Sequence, residues 1–224
     1  MPVSAAIAFF DLDLTLLEVN SASLWVRREV RLGHISRWSA LRAAAWLGMY
    51  ELGVGRLEDA IQSAARTLAG KEEAIFRQRT LDFWEEQVSD RIRPGGRAAV
   101  RAHQGAGDAT ILLTSSSNYL GQLAVDALGL DGMLTNRFVV EDGRYTGLLE
   151  TPICYGSGKL LHAQRCADAA GVSLSDCSFY TDSMSDVSVL KAVGNPVAVH
   201  PDPRLRREAS RQDWPVVDWS GSTA

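Results

Sequence analysis

Apolar residues in this chain fall into short solid runs and longer helical stripes. Ala5-Ala6-Ile7-Ala8-Phe9-Phe10 stops abruptly at Asp11, the pattern of a strand buried on both faces. Ala109-Thr110-Ile111-Leu112-Leu113 has the same form and ends in Thr114-Ser115-Ser116-Ser117-Asn118. So does Cys177-Ser178-Phe179-Tyr180-Thr181, which ends in Asp182-Ser183-Met184-Ser185-Asp186 and leads into a short helix. Pro196 to His200 predicts another strand, Leu134 and its neighbours a short one, and Trp214 to Val217 a last one. Helices are expected from Gly96 to about His103, from Asn118 to Leu128, and from Gly156-Ser157-Gly158-Lys159 to about Ala170. Asp142-Gly143 between Phe138-Val139-Val140 and Tyr145-Thr146-Gly147-Leu148 is a two-residue hairpin signal.

Between Asn20 and about Asp90 the strand pattern disappears. A first helix, capped by Ser21 or Ser23, runs through Leu24, Val26 and Val30 to about Gly33. A second is expected from about Ser36 to Tyr50, with Trp38, Leu41, Ala45 and Met49 on one face, before the breaks at Gly53 and Gly55. A third runs from about Leu57 to Leu68, and a fourth from Lys71 to Val88 with Ile75, Phe76, Phe83 and Trp84. So much helix between one strand and the next exceeds an ordinary crossover. Residues 20–91 therefore read as a separate helical cap, and residues 1–19 and 92–224 as the core. Four of the six tryptophans (Trp25, Trp38, Trp46, Trp84) fall in this insert. The simplest reading makes them the cap's own small core; an apolar substrate lining or a membrane-facing surface is the sharper alternative.

Alternating strands and helices outside the insert imply a mostly parallel sheet with helices on both faces. Composition adds little: hydrophobic residues make up 46% and charged residues 22%, as in ordinary globular proteins. The net charge of −4 argues against a general nucleic-acid binder. The three cysteines lack pairing or metal-finger spacing, and the four histidines are scattered, so a reduced cytoplasmic protein without a zinc site is expected. The first apolar run is too short for a signal peptide or a membrane span, so no stable membrane insertion is expected.

The chemistry gathers at the strand ends. In a parallel sheet the C-terminal ends lie on one edge, where ligands bind. Asp11, Asp13 and Thr15, two apart along an extended chain, would point the same way. Two adjacent carboxylates repel unless a cation neutralises them, which suggests a metal or a nucleophile with an acid–base partner. Asp11 with Asp182 makes an oxygen-rich site suited to Mg²⁺. Thr114 with the amides behind it suits a phosphate, and Lys159 adds a positive charge. Two rival phosphate motifs fail. After Gly158-Lys159, Leu160 stands where a P-loop needs Ser or Thr, and Ile153 where it needs its first Gly. Gly53-Val54-Gly55 follows no strand.

Asp11–Thr15 (DLDLT), Leu112–Ser116 (LLTSS), Lys159 and Thr181–Asp186 (TDSMSD) resemble the four motifs of the haloacid dehalogenase-like phosphohydrolases. The helical insert after the first motif and the hairpin between the second and third resemble the phosphoserine phosphatase branch. The expected fold class is thus α/β, a Rossmann-like parallel sheet core with helices on both faces and an inserted all-helical cap. The resemblance implies that Asp11 is the nucleophile and Asp13 the general acid and base. It implies Mg²⁺ held by Asp11, the Asp13 carbonyl and Asp182, with Asp186 in support. Thr114, the Ser115 amide, Lys159 and Thr15 would serve the phosphate. Asp at position 13 argues against a true dehalogenase, which has no leaving alkoxide to protonate.

Some positions depart from that branch. Asn20 stands where a Glu meets the substrate ammonium, with Glu18 two residues early. Ala64 falls where an Arg meets the substrate carboxylate, with Arg66 close by. Leu14 replaces a small residue, and Ser185 an Asn. The expectation is a Mg²⁺-dependent phosphatase of a small soluble phosphomonoester, phosphoserine-like or an amino-alcohol phosphate. A lipid-phosphate phosphatase is the nearest alternative, and a phospho-signalling receiver or a silent binding protein the rivals from another class.

Overall fold

The computed structural model of the chain describes residues 6–36, 38 and 57–220. Among these a six-stranded parallel sheet forms the centre, in the order β3-β2-β1-β6-β7-β8. Its strands are β1 (Ile7–Phe10), β2 (Ala109–Ser117), β3 (Gly132–Asn136), β6 (Ser178–Thr181), β7 (Asn195–Val199) and β8 (Val216–Val217). A separate antiparallel hairpin joins β4 (Phe138–Glu141) to β5 (Arg144–Leu149). Its turn residues Asp142 and Gly143 have φ of 48° and 73°, the left-handed pair that a tight hairpin requires.

The pleat of β1 divides the core. Ala8 and Phe10 join one apolar cluster with Leu16, Leu17, Trp84, Leu112, Leu120 and Trp219. Ile7 and Phe9 join the other, with Leu113, Ala163, Phe179, Leu190 and Leu205. Both faces are therefore covered, which is why the strands read as solid apolar runs. The covering helices are α4 (Pro94–Ala106), α5 (Asn118–Leu128), α6 (Ser157–Ala170), the short α7 (Val187–Leu190) and α8 (Pro203–Arg211). Chain order moves outward from β1 through β2 to β3 on one side and through β6, β7 and β8 on the other. The C-terminal ends of the central strands thus flank a topological switch point, where such sheets bind ligands.

The insert leaves and rejoins the core through one doorway. Leu17 and Ile92 form an antiparallel bridge, with Glu18 N–H donating to Arg91 O at 2.9 Å and Arg93 N–H to Leu16 O at 2.8 Å. Its described helices are α1 (Ser21–Arg31), α2 (Leu57–Arg66) and α3 (Glu73–Phe83), the last continued by a widened turn over Trp84–Val88. Asn20, not Ser21 or Ser23, caps α1: its side chain accepts from Ser23 N–H at 2.9 Å. Arg28 grips Glu86 through two hydrogen bonds, and the fully buried Glu29 pairs with Arg28 and Arg79.

The aromatic reading of the insert holds only in part. Trp25 packs against Phe76 and Phe83, while Trp84 is buried in the sheet-side cluster with Leu16 and Leu17. Trp38 is 69% exposed and Ile75 55% exposed, so neither belongs to a cap core. The expected helix from Ser36 to Tyr50, its break at Gly53 and Gly55, and Trp46 lie outside the described residues apart from positions 36 and 38. The hairpin is bonded to the insert through main chain. Gly70 N–H donates to Tyr145 O at 2.8 Å, Tyr145 N–H to Lys71 O at 3.0 Å, and Glu73 N–H to Gly143 O at 2.9 Å.

Candidate active site

The strand β1 ends at Phe10, and the chain does not continue extended as the two-residue spacing of Asp11, Asp13 and Thr15 predicts. Residues 12–16 form a turn in which Leu14 holds φ of 59°. The turn, not the pleat, brings the three side chains to the sheet edge. Asp11 is fixed first: its N–H donates to Tyr180 O of β6 at 2.9 Å, and its side chain is buried.

Lys159, 2% exposed in the first turn of α6, reaches this carboxylate. Its Nζ donates to Asp11 Oδ1 at 2.7 Å and to Asp186 Oδ2 at 2.8 Å. The approach depends on the residue before it. A Cβ at Gly158 would lie 1.9 Å from Ile153 O, so only glycine lets the helix start so close to the preceding loop. Asp186 is further held by Thr181 Oγ1, which donates at 2.8 Å. Asp182 follows β6, and Thr15 Oγ1 donates to its Oδ1 at 3.4 Å. Thr15, expected among the phosphate groups, is thus fully buried against a carboxylate.

Asp13 is held from two sides. Its Oδ1 accepts from Ser21 N–H at 2.7 Å and its Oδ2 from Ser116 Oγ at 3.1 Å. Ser116 N–H in turn donates to Thr114 Oγ1 at 3.2 Å. Asn136, at the end of β3, donates to Ser115 O at 2.7 Å and accepts from Cys154 N–H at 2.8 Å, tying the β2 loop to the segment before α6. Asp202 plays the same part across the edge, accepting from Met184 N–H at 2.7 Å while its own N–H donates to Asp182 O at 2.8 Å.

Sequence reasoning assigned no role to Ser116 beyond a polar cluster, and none to Asn136 or Asp202. Asn136 and Asp202 lie in no motif, and only a buried polar residue at a strand end marks the first of them. Asn20 and Glu18 are engaged elsewhere: Asn20 caps α1, and Glu18 pairs with Arg91 at 2.8 Å. Ala64 and Arg66 are exposed on α2, where that helix meets β5 near Gly147.

The electrostatics are one-sided. Asp11, Asp182 and Asp186 crowd a region in which Lys159 supplies the positive charge. Burial, with the neighbouring carboxylates, pushes the Asp11 and Asp182 carboxyls up, Lys159 only partly offsetting this; burial alone would pull Lys159 down, but Asp11 and Asp186 outweigh it and push Lys159 up. Burial also raises Asp13, against the bonds from Ser21 and Ser116. Among the described residues no group of three or more His, Cys, Asp or Glu side chains is gathered as a metal cluster. The donor set nevertheless suits a hard divalent cation. Two buried carboxylate side chains, Asp11 and Asp182, lack a full countercharge, and a cation of the Mg²⁺ type keeps several waters and asks for few protein ligands. A surface groove of about 530 Å³ at Asn195, Trp214 and Pro215 lies at the opposite end of the sheet.

Residues 8–191 match the haloacid dehalogenase-like hydrolase family. The chain belongs to it. It is a hydrolase of that family, as the four motifs imply. A Mycobacterium tuberculosis protein named phosphoserine phosphatase is 30% identical, the match covering 96% of this chain and 71% of that one. A Neisseria meningitidis protein named histidinol-phosphatase is 27% identical over 95% of this chain and 98% of its own length. The crystal structure of a Bordetella pertussis protein of unknown function superposes with a TM-score of 0.88 at 28% identity, covering 96% of this chain and 99% of that one. A phosphoserine phosphatase solved as a phospho-aspartyl intermediate analogue shares the fold, with a TM-score of 0.70 at 17% identity over 97% of this chain and 94% of that one. Among the described residues no helix is long and apolar enough to cross a membrane.

Proposed function

We propose that the protein is a Mg²⁺-dependent phosphatase of a small phosphomonoester, with an amino-alcohol phosphate as the substrate class. The observation that carries this reading is the unequal treatment of two neighbouring carboxyls. Asp11 is paired directly with a buried ammonium, whereas Asp13 is held by neutral donors, the Ser21 N–H and the Ser116 hydroxyl among them. Paired carboxyls in different environments are how one site divides nucleophilic from acid–base work.

In this reading an Asp11 oxygen attacks phosphorus as the bond to the alcohol oxygen breaks, and Asp13 gives that oxygen its proton. Water then attacks the aspartyl-phosphate, Asp13 takes the proton, and inorganic phosphate leaves with Asp11 restored. Thr114 and Lys159, joined by the Ser115 amide, would face the phosphoryl oxygens as they gather charge. Asp11, Asp182 and the Asp13 carbonyl would hold Mg²⁺, with Asp186 behind them, and the metal would neutralise charge between carboxylate and phosphate. Residues 20–91 would act as the cap over a core of residues 1–19 and 92–224, screening the site from water.

Two relatives support the substrate class, since phosphoserine and histidinol phosphate are both phosphate esters of amino alcohols. The test is phosphate release from a panel of phosphomonoesters, with and without Mg²⁺, using Asp11→Asn as control. Mg²⁺-dependent turnover that favours amino-alcohol phosphates and vanishes in the variant supports the reading. A preference for short lipid phosphates would replace the substrate class, and silence across the panel in folded protein would overturn the activity.

A further inference from the structure

Asp13 stands at the seam between insert and core, and its two oxygens are held from opposite banks. The Ser21 N–H belongs to the first residue of α1, in the insert, whereas Ser116 lies at the end of β2, in the sheet. One contact alone would leave the carboxyl plane free to swing about it. Two contacts on different oxygens fix both position and plane.

Ser116 is well placed for that task because its own backbone is fixed on both sides. The β2–β3 register breaks between Leu113 and Ser117, so residues 114–116 leave the regular ladder. Their main chain is held instead by the Ser116 N–H bond to Thr114 Oγ1 and by the Asn136 bond to Ser115 O. Ser21, on the other bank, reaches Asp13 through its backbone N–H and its own side chain.

We propose that Ser116 is a positioning residue for the leaving-group step: its hydroxyl fixes the Asp13 carboxyl in the plane from which the proton reaches the departing alcohol oxygen. The inference rests on Asp13 being the general acid. In that step the Asp11 oxygen–phosphorus bond forms, the phosphorus–alcohol bond breaks, and the Asp13 proton moves to the alcohol oxygen, leaving a carboxylate. Ser116 itself exchanges nothing with substrate. Misplacing a positioned group by a fraction of a bond length costs rate without costing binding.

The test compares kcat/KM, which reports the first chemical step, for alkyl phosphates and for p-nitrophenyl phosphate. The alkyl leaving groups need a proton and p-nitrophenolate does not. Ser116→Ala is expected to lower kcat/KM for alkyl phosphates by roughly 10- to 100-fold, and for p-nitrophenyl phosphate by less than about threefold. Ser116→Thr, which keeps the hydroxyl, is expected to restore most of the alkyl rate. An equal loss on both substrates would assign Ser116 to the phosphate loop and overturn the proposal, as would no loss on alkyl phosphates. Should Ser116→Ala fail to fold, Ser116→Cys, with its weaker donor, is measured in its place and read by the same selective loss. Asp13→Asn separates the two ideas. If that variant loses kcat/KM on alkyl and aryl phosphates alike, the acid role of Asp13 in the first step falls. If it is selective and Ser116→Ala is not, only the role of Ser116 falls.

Discussion

Lys159 Nζ lies 2.7 Å from Asp11 Oδ1, and both side chains are withdrawn from water. Burying a charge is costly unless a partner compensates it, so removing the cation here leaves an uncompensated buried charge. Removing the cation leaves Asp11 and Asp186 facing each other. Lys159→Met is expected to destabilise the metal-free protein by about 3–5 kcal/mol, the range for breaking a buried pair. Asp11→Asn has the opposite sign: it removes one carboxylate from a crowded set while Lys159 keeps Asp186. Denaturant unfolding without added metal should therefore find Asp11→Asn at least as stable as the parent, though inactive. A destabilised Asp11→Asn would show that the Lys159 bond outweighs the repulsion.

Asn136 gives a second expectation. It is buried, and its amide joins Ser115 O to Cys154 N–H. Asn136→Ala leaves a part-buried acceptor, Ser115 O, and a buried donor, Cys154 N–H, without their partner, a loss of about 2–4 kcal/mol for the two groups. The same change frees the loop carrying Thr114 from the segment before Lys159, so kcat should fall along with stability. A variant that loses stability but keeps full kcat would show that the two loops hold their spacing without this amide.

What was legible in the sequence follows from how each feature is encoded. The strands announced themselves because both faces are buried, and Asp11, Thr114, Lys159 and Asp182 because each closes a strand or opens a helix. The pairing of Ser116 with Asp13 spans 103 positions and leaves no local pattern. The cap of α1 was misassigned because Asn20, Ser21 and Ser23 are all good capping residues and only the turn angle chooses among them. The bonds from Gly70, Lys71 and Glu73 to the hairpin use main chain, which carries no side-chain signature. The turn at Leu14 was hidden for a different reason. A leucine at φ of 59° breaks the usual preference for glycine or asparagine, so nothing local warned that the chain turns after Asp11 rather than staying extended to Thr15.

His200 supplies a pH expectation away from the Asp11–Lys159 cluster. Its Nε2 accepts from Trp219 N–H at 2.8 Å, a role open only to the neutral ring. Burial, then the nearby Arg93, hold its pKa below the ordinary 6.5, with exposed Asp218 pulling the other way. The unfolded chain therefore binds the proton more readily than the folded one. The stability this gives is complete above about pH 6.5 and is lost as pH falls through the lower folded value. His200 holds φ of 43°, and unfolding free energies measured at pH 7.5 and pH 5.5 should differ more in the parent than in His200→Asn, which tolerates that positive φ without titrating. Equal pH dependence in both proteins would exclude His200 as a contributor.

Gly158 sets two known effects against each other. It lies in the first turn of α6, where replacing glycine by alanine ordinarily gains up to about 1 kcal/mol of helix stability. Here the added Cβ would meet Ile153 O at 1.9 Å and Ile153 C at 3.1 Å, both backbone atoms that cannot rotate away. The segment before α6 must move, and Lys159 moves with it. Strain of this kind typically costs about 1–3 kcal/mol, so the steric term should win. Gly158→Ala is expected to lower the unfolding free energy by about 1–2 kcal/mol and, if Lys159 serves the phosphate as proposed, to cut kcat/KM on aryl and alkyl phosphomonoesters alike. A stabilised variant with full activity would mean that the loop at Ile153 yields freely and that Lys159 does not depend on it.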